Sequence, residues 1–185
     1  MPLITRDEAR AFGAELREAE ATRRQIPLIC ARRAGLGLPD AYAIQAAFVA
    51  EKQGAGSVVR GWKIGLTSRA MQSALGIDIP DSGVLFDDMF FESGSTVPAD
   101  RFIEPRIEAE IAFVMGADLE GPGITVFDVL RATQFVMPAL EILDTRILRR
   151  DPATGQTRTV IDTISDNAAN AGIVPGTRLL RPSEI

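Results

Sequence analysis

The sequence predicts an α+β fold: a β-rich mixed barrel or roll with a small helical N-terminal region. Three observations carry this reading. The first 56 residues hold two helix-opening signatures, each followed by an apolar stripe of helical period. After Gly56 the texture changes to short alternating segments separated by glycine turns. Two of these segments, 103–115 and 134–143, are long enough for central strands, and both carry glutamates in apolar surroundings. The chain is therefore expected to divide into a helical cap, residues 1–56, and a β-rich domain, residues 57–185.

Each element has a local cause. Thr5-Arg6-Asp7-Glu8 is a capping box and opens a helix to about Arg23, with Ala9, Phe12, Leu16 and Ala19 as its stripe. Residues 27–37 read as irregular. Pro39-Asp40 opens a second helix, carrying Tyr42, Ile44, Ala47 and Phe48 and ending near Gly54. Val58 to Leu66 reads as a strand, Thr67 as the cap of a short helix through Ala74, and Gly76 as that helix's end. Residues 83–86 and 90–91 read as short strands. Ile103 to Met115 and Gln134 to Leu143 are the two longer ones, with a Thr125-capped helix to about Ala132 between them. Asp151-Pro152-Ala153-Thr154-Gly155 is a turn. Thr163 to Asn170 reads as a short helix and Ala171 to Val174 as a last strand.

Composition narrows the function. A length of 185 residues supports one good core and a small appendage. The net charge of −5, with basic residues unclustered, argues against nucleic acid as a partner. No apolar run reaches transmembrane length and Met1 to Arg10 is unlike a signal peptide, so no membrane association is expected. Cys30 is the single cysteine, which makes a reducing cytoplasm the expected location. There is no histidine, so imidazole bases, Ser-His triads and histidine metal ligands are excluded within this chain. Only Lys52 and Lys63 are lysines among twenty basic residues. A chain that otherwise uses arginine can keep lysine where a proton must move, although Lys52 reads as a plain helix-surface lysine.

The most informative segment is Arg106-Ile107-Glu108-Ala109-Glu110-Ile111-Ala112-Phe113. As a strand, it puts Glu108 and Glu110 on one face. Glu141 interrupts the apolar run Phe135 to Leu143, where an unpaired carboxylate would be costly. Either arginines pair with these three groups or a cation sits among them. An all-oxygen donor set suits a hard divalent ion, Mg²⁺ or Mn²⁺. Arg69 and Arg106 are candidates for gripping a carboxylate by bidentate pairing, or else form salt bridges.

Five motifs then meet a family pattern. Gly61-Trp62-Lys63-Ile64-Gly65-Leu66-Thr67-Ser68-Arg69-Ala70, Ile79-Pro80-Asp81-Ser82-Gly83-Val84-Leu85, the glutamate strand, Pro138-Ala139-Leu140-Glu141-Ile142-Leu143-Asp144 and the run from Asp162 to Gly172 (Asp-Thr-Ile-Ser-Asp-Asn-Ala-Ala-Asn-Ala-Gly) resemble the hydratase/decarboxylase branch of the fumarylacetoacetase superfamily. The resemblance extends from about Gln25 to Ile185. It implies the fumarylacetoacetase C-terminal-domain fold, homo-oligomers, and Glu108, Glu110 and Glu141 as ligands of a metal ion. It implies Lys63 and Asp81 as acid–base groups and Ser165 as a pocket-lining residue. The activity implied is metal-dependent addition of water to a 2-oxo-3-enoate dicarboxylate in aromatic-compound breakdown. The alternatives are a sister decarboxylase, a hydrolase (disfavoured by the missing histidine) and a shortened non-catalytic partner subunit. Family members continue with further barrel strands, so this sequence is expected to be cut short at its C-terminal side.

Overall fold

Thr5 and Glu8 form the expected capping box, with the Glu8 N–H donating to Thr5 Oγ1 at 3.2 Å and the Thr5 N–H to Glu8 Oε2 at 2.8 Å. They open α1 (Arg6–Thr22) in a computed structural model that describes residues 3–75, 77 and 79–185. Ala9, Phe12, Leu16 and Ala19 are buried, as their spacing predicts. α2 (Ile29–Arg32) is a single turn within the segment expected to be irregular. α3 (Leu38–Gly54) crosses α1 so closely that a Cβ on Gly13 would lie 2.7 Å from the Phe48 backbone nitrogen. Glycine there makes the close crossing possible. Asp40 caps α3 by accepting from the Gly37 N–H at 2.9 Å, and it also accepts from the Ile4 N–H at 2.8 Å. The core between these helices gathers Phe12, Leu16, Leu28, Ile29, Ile44 and Phe48 with Ile147. Fully burying each large apolar side chain contributes roughly 1.5–3 kcal/mol. Ile147 belongs to the segment after the second long strand, so the helices share their core with the rest of the chain.

The strands form two sheets. β1 (Val59–Gly65) and β2 (Asp81–Phe86) make an antiparallel ribbon, with α4 (Arg69–Leu75) between them. β3 (Arg106–Met115) and β4 (Thr133–Leu143) are joined through α5 (Val126–Ala132), which Thr125 caps as expected. α6 (Val160–Ser165) leads to β5 (Asn170–Pro175), and the second sheet runs antiparallel in the order β3-β4-β5.

Four expectations need correction. The barrel or roll is not closed: among the described residues the strands make one ribbon and one three-stranded sheet. Phe90-Phe91 is not a strand, and Phe90 makes only an isolated bridge to Ile173. Ser68, not Thr67, caps α4 through its hydroxyl (Met71 N–H to Oγ, 3.2 Å); the end expected at Gly76 lies outside the described residues. The last helix starts earlier and ends at Ser165, because Thr159 and Asp162 form an unanticipated capping box.

Candidate active site

The register of the longer strands builds the carboxylate cluster. Glu108 lies opposite Glu141, and Glu110 opposite Ala139, whose short side chain leaves the longer one room. One carboxylate oxygen from each of Glu108, Glu110 and Glu141 falls within 4.8 Å of the others. The buried carboxylate of Asp144 holds this register by accepting the N–H groups of Ile103 at 2.8 Å and Glu104 at 2.7 Å. It fastens the approach to β3 against the end of β4.

Glu108 and Glu110 are exposed, whereas Glu141 is only 5% exposed. Burial is the main cause pushing the Glu141 carboxyl up to about 7; Lys63 opposes it, and the charges of Glu108 and Glu110 add to it. The Lys63 Nζ lies 3.5 Å from Glu141 Oε2, while Oε1 is buried without a hydrogen-bond partner among the described residues. One ammonium faces three acids.

The ribbon supplies the other wall. Lys63 pairs with Gly83 and Gly65 with Asp81, so all four share one face of β1-β2. Trp62 and Ile64 point the other way and are exposed. Asp81 is buried, with Oδ1 unpartnered among the described residues, and burial raises its carboxyl against the pull of Lys63. A side chain on Gly65 would collide with the Asp81 carboxylate and stand 3.0 Å from Lys63 Nζ. Glycine at that position leaves the two polar groups their space.

The remaining expected residues are placed less closely. Ser165 is fully buried, and its Oγ has no hydrogen-bond partner among the described residues. Arg106 shares the Glu108 face of β3 and is exposed. Arg69 is exposed at the start of α4. Neither arginine makes an ion pair among the described residues, and no arginine pairs with the three glutamates there. Sequence reasoning missed Asp144, Arg146, Asn167 and Asn170, all buried. The signal available was the density of polar side chains from Asp162 to Asn170, too many for an ordinary solvated loop once their neighbours are apolar. It also read Lys52 as a surface residue, yet Lys52 is buried, 3.1 Å from Glu20 and 3.4 Å from Asp88.

The donor set fits a divalent cation. Three oxygen ligands converge, a buried Glu141 oxygen lacks a partner, and one lysine cannot balance three carboxylates. No protein-family profile matches the sequence. The chain is 37% identical over 175 residues to the 2-hydroxypent-2,4-dienoate hydratase of Pseudomonas putida, an alignment covering 94% of this chain and 76% of that protein. This chain belongs to the hydratase/decarboxylase branch of the fumarylacetoacetase superfamily. Within that branch it is 51% identical over 174 residues to the 2-oxo-hept-4-ene-1,7-dioate hydratase of Escherichia coli, covering 94% of this chain but 65% of the relative. It thus spans about two thirds of the length of that relative. Among solved members of the branch, 4-oxalocrotonate decarboxylase from Pseudomonas putida G7, complexed with magnesium and adipate, superposes with a TM-score of 0.91 at 29% identity, covering 100% of this chain and 68% of the other. The same enzyme complexed with calcium and acetate gives 0.90.

Proposed function

We propose that this chain carries the site of a hydro-lyase that adds water to a 2-oxo-enoate dicarboxylate, turning 2-oxohept-3-ene-1,7-dioate into 4-hydroxy-2-oxoheptane-1,7-dioate in aromatic-compound breakdown. The observation that carries this reading is the placement of three convergent glutamates opposite Lys63 and Asp81. Glu108, Glu110 and Glu141 would hold Mg²⁺, with Mn²⁺ as a substitute. When bound, such an ion supplies Lewis-acid polarisation of a 2-oxo group.

The chain's own residues do the rest. Lys63 and Asp81 move protons at the substrate carbons, beside the glutamate cluster. A 4-ene form must lose a proton at C3 and gain one at C5, and a dienol form must lose its 2-hydroxyl proton and gain one at C5, before the conjugated 3-ene accepts water at C4. A buried carboxyl with a raised proton affinity suits the acid step, and Lys63 beside it is the second proton-carrying group. Arg106, on the glutamate face of β3, and Arg69 receive the distal carboxylate, and Ser165 lines the pocket. The helical segment 1–56 serves as a cap on the β-rich domain 57–185. The working protein is a cytoplasmic homo-oligomer; among the described residues no helix is long and apolar enough to cross a membrane.

The deciding experiment supplies the purified chain with Mg²⁺ and 2-oxohept-3-ene-1,7-dioate, and follows loss of the conjugated chromophore and release of CO₂. Hydration without CO₂, abolished by EDTA, is the expected result. CO₂ release from the six-carbon 2-oxohex-3-enedioate, offered in parallel because its departing carboxylate leaves its electron pair in conjugation with the 2-oxo group, would support decarboxylation, the reading that the TM-score of 0.91 to a decarboxylase favours. Turnover unaffected by EDTA would sink the metal-dependent mechanism.

A further inference from the structure

Arg146 is 2% exposed, and its hydrogen bonds converge on one short turn. Its backbone N–H donates to Asp166 Oδ2 at 2.8 Å, and its Nε donates to Asp166 Oδ1. Its Nη2 donates to the carbonyls of Asp166 at 2.8 Å and Asn170 at 3.0 Å. These two carbonyls bracket Asn167, Ala168 and Ala169, whose φ angles of 52°, 52° and 58° are left-handed. Three consecutive non-glycine residues do not hold that conformation unless their surroundings impose it. The guanidinium fork fastens both ends of the turn, and a lysine has no planar fork to do the same.

The turn in turn grips the ribbon. Asn167 Oδ1 accepts the Val84 N–H at 2.7 Å, and its Nδ2 donates to the Val84 carbonyl at 2.9 Å. Asn170 Nδ2 donates to that same carbonyl at 2.9 Å. The Asn167 carbonyl fills the space where a Gly83 side chain would stand, and Lys63 Cγ lies 3.2 Å from that space. Gly83 pairs with Lys63 and lies two residues from Asp81.

We propose that Arg146 is a positioning residue for Lys63 and Asp81, acting through the Asn167–Ala169 turn on β2. Its catalytic consequence rests on the hydration reading above; the positioning itself does not. Loss of the fork lets the turn relax toward negative φ, withdraws the Asn167 amide from Val84 and frees the site face of β2. The turn touches the end of β4 through the Asp144 N–H, which donates to the Ala169 carbonyl at 2.8 Å, but among the described residues it makes no hydrogen bond to the side chains of the three glutamates on β3 and β4.

The test uses Arg146→Lys and, as a milder change, Asn167→Ser. Three quantities are read: amide hydrogen exchange at Val84, Mn²⁺ affinity by electron paramagnetic resonance, and kcat and KM for hydration. Both variants are expected to speed exchange at Val84 at least about tenfold. Mn²⁺ affinity is expected to stay within about twofold, since among the described residues no hydrogen bond joins the three glutamate side chains to the turn. kcat is expected to fall about 100-fold with KM little changed, the scale of a small misplacement of reacting groups. Wild-type exchange at Val84 in both variants would overturn the proposal. So would Mn²⁺ affinity falling in step with kcat, which would make Arg146 a support of the metal strands instead. A wild-type chain that hydrates nothing overturns the functional reading alone, and the positioning then stands or falls on Val84 exchange.

Discussion

Arg146 and Glu141 lie five residues apart in sequence and are almost equally buried, at 2% and 5% exposed, yet their charges are treated in opposite ways. Arg146 is surrounded by partners: Asp166 on one side, Glu20 at 3.7 Å on the other, and two carbonyls between. Glu20 continues the chain of charges to Lys52, Asp88 and Arg101. Glu141 has one lysine, two further acids beside it and an oxygen without a hydrogen bond. The first cluster is closed within the chain. The second is short of positive charge and of donors, and a fold retains such a deficit where something else is to be bound.

The comparison can be broken from either side. The largest effect is expected at the closed cluster: Arg146→Met leaves Asp166 charged and buried, at a cost of about 3–5 kcal/mol in urea unfolding. Asp166→Asn should destabilise nearly as much. A loss under about 1 kcal/mol for both would mean that the cluster is not closed in solution.

The open cluster should respond to pH in the reverse sense. The Glu141 carboxyl is raised from 4.5 to about 7, so the folded chain holds a proton that the unfolded chain has released. This stabilisation is complete below about pH 4.5 and is lost as pH rises through about 7. In EDTA, stability should therefore decline between pH 5 and pH 8, by up to about 3 kcal/mol from this group. Buried Asp81, also raised, adds in the same direction. Glu141→Gln should flatten the decline, and an unchanged slope in that variant would assign it elsewhere.

Metal binding sharpens the contrast further. Replacing Glu108 or Glu110 with glutamine should weaken Mn²⁺ binding at least about 100-fold, beyond the 10–100-fold typical of outer-shell changes. Stability in EDTA should change little, because both residues are exposed. The smallest effect belongs to the solvent-exposed pair Arg32–Glu15, whose side chains are 38% and 37% exposed. Glu15→Gln should cost less than about 1 kcal/mol, and added salt should reduce even that.

Much of this was legible in residue order. The capping boxes at Thr5 and Thr125 and the stripe of α1 follow from rules acting within a few residues. So does the shared face of Glu108 and Glu110, which needs only strand periodicity. An otherwise apolar run singled out Glu141, the scarcity of lysine Lys63, and the family motifs Asp81; that the three lie together is something periodicity alone could not give. The illegible part depended on distant partners. Lys52 looks like any helix lysine until Glu20 and Asp88 close around it. The polar run from Asp162 to Asn170 looks like a short helix until Arg146 and Val84 engage it.

The sequence by itself determined which side chains lie on which face of each strand and helix, and therefore that two carboxylates would point together. Tertiary structure decided the rest: that β4 brings Glu141 opposite Glu108, that the ribbon sets Lys63 3.5 Å from it, and that Arg146 is enclosed while Glu141 is left wanting. The physical reason is range. Periodicity and capping act over three or four residues, whereas burial and charge balance depend on chain segments that meet only when the fold is complete.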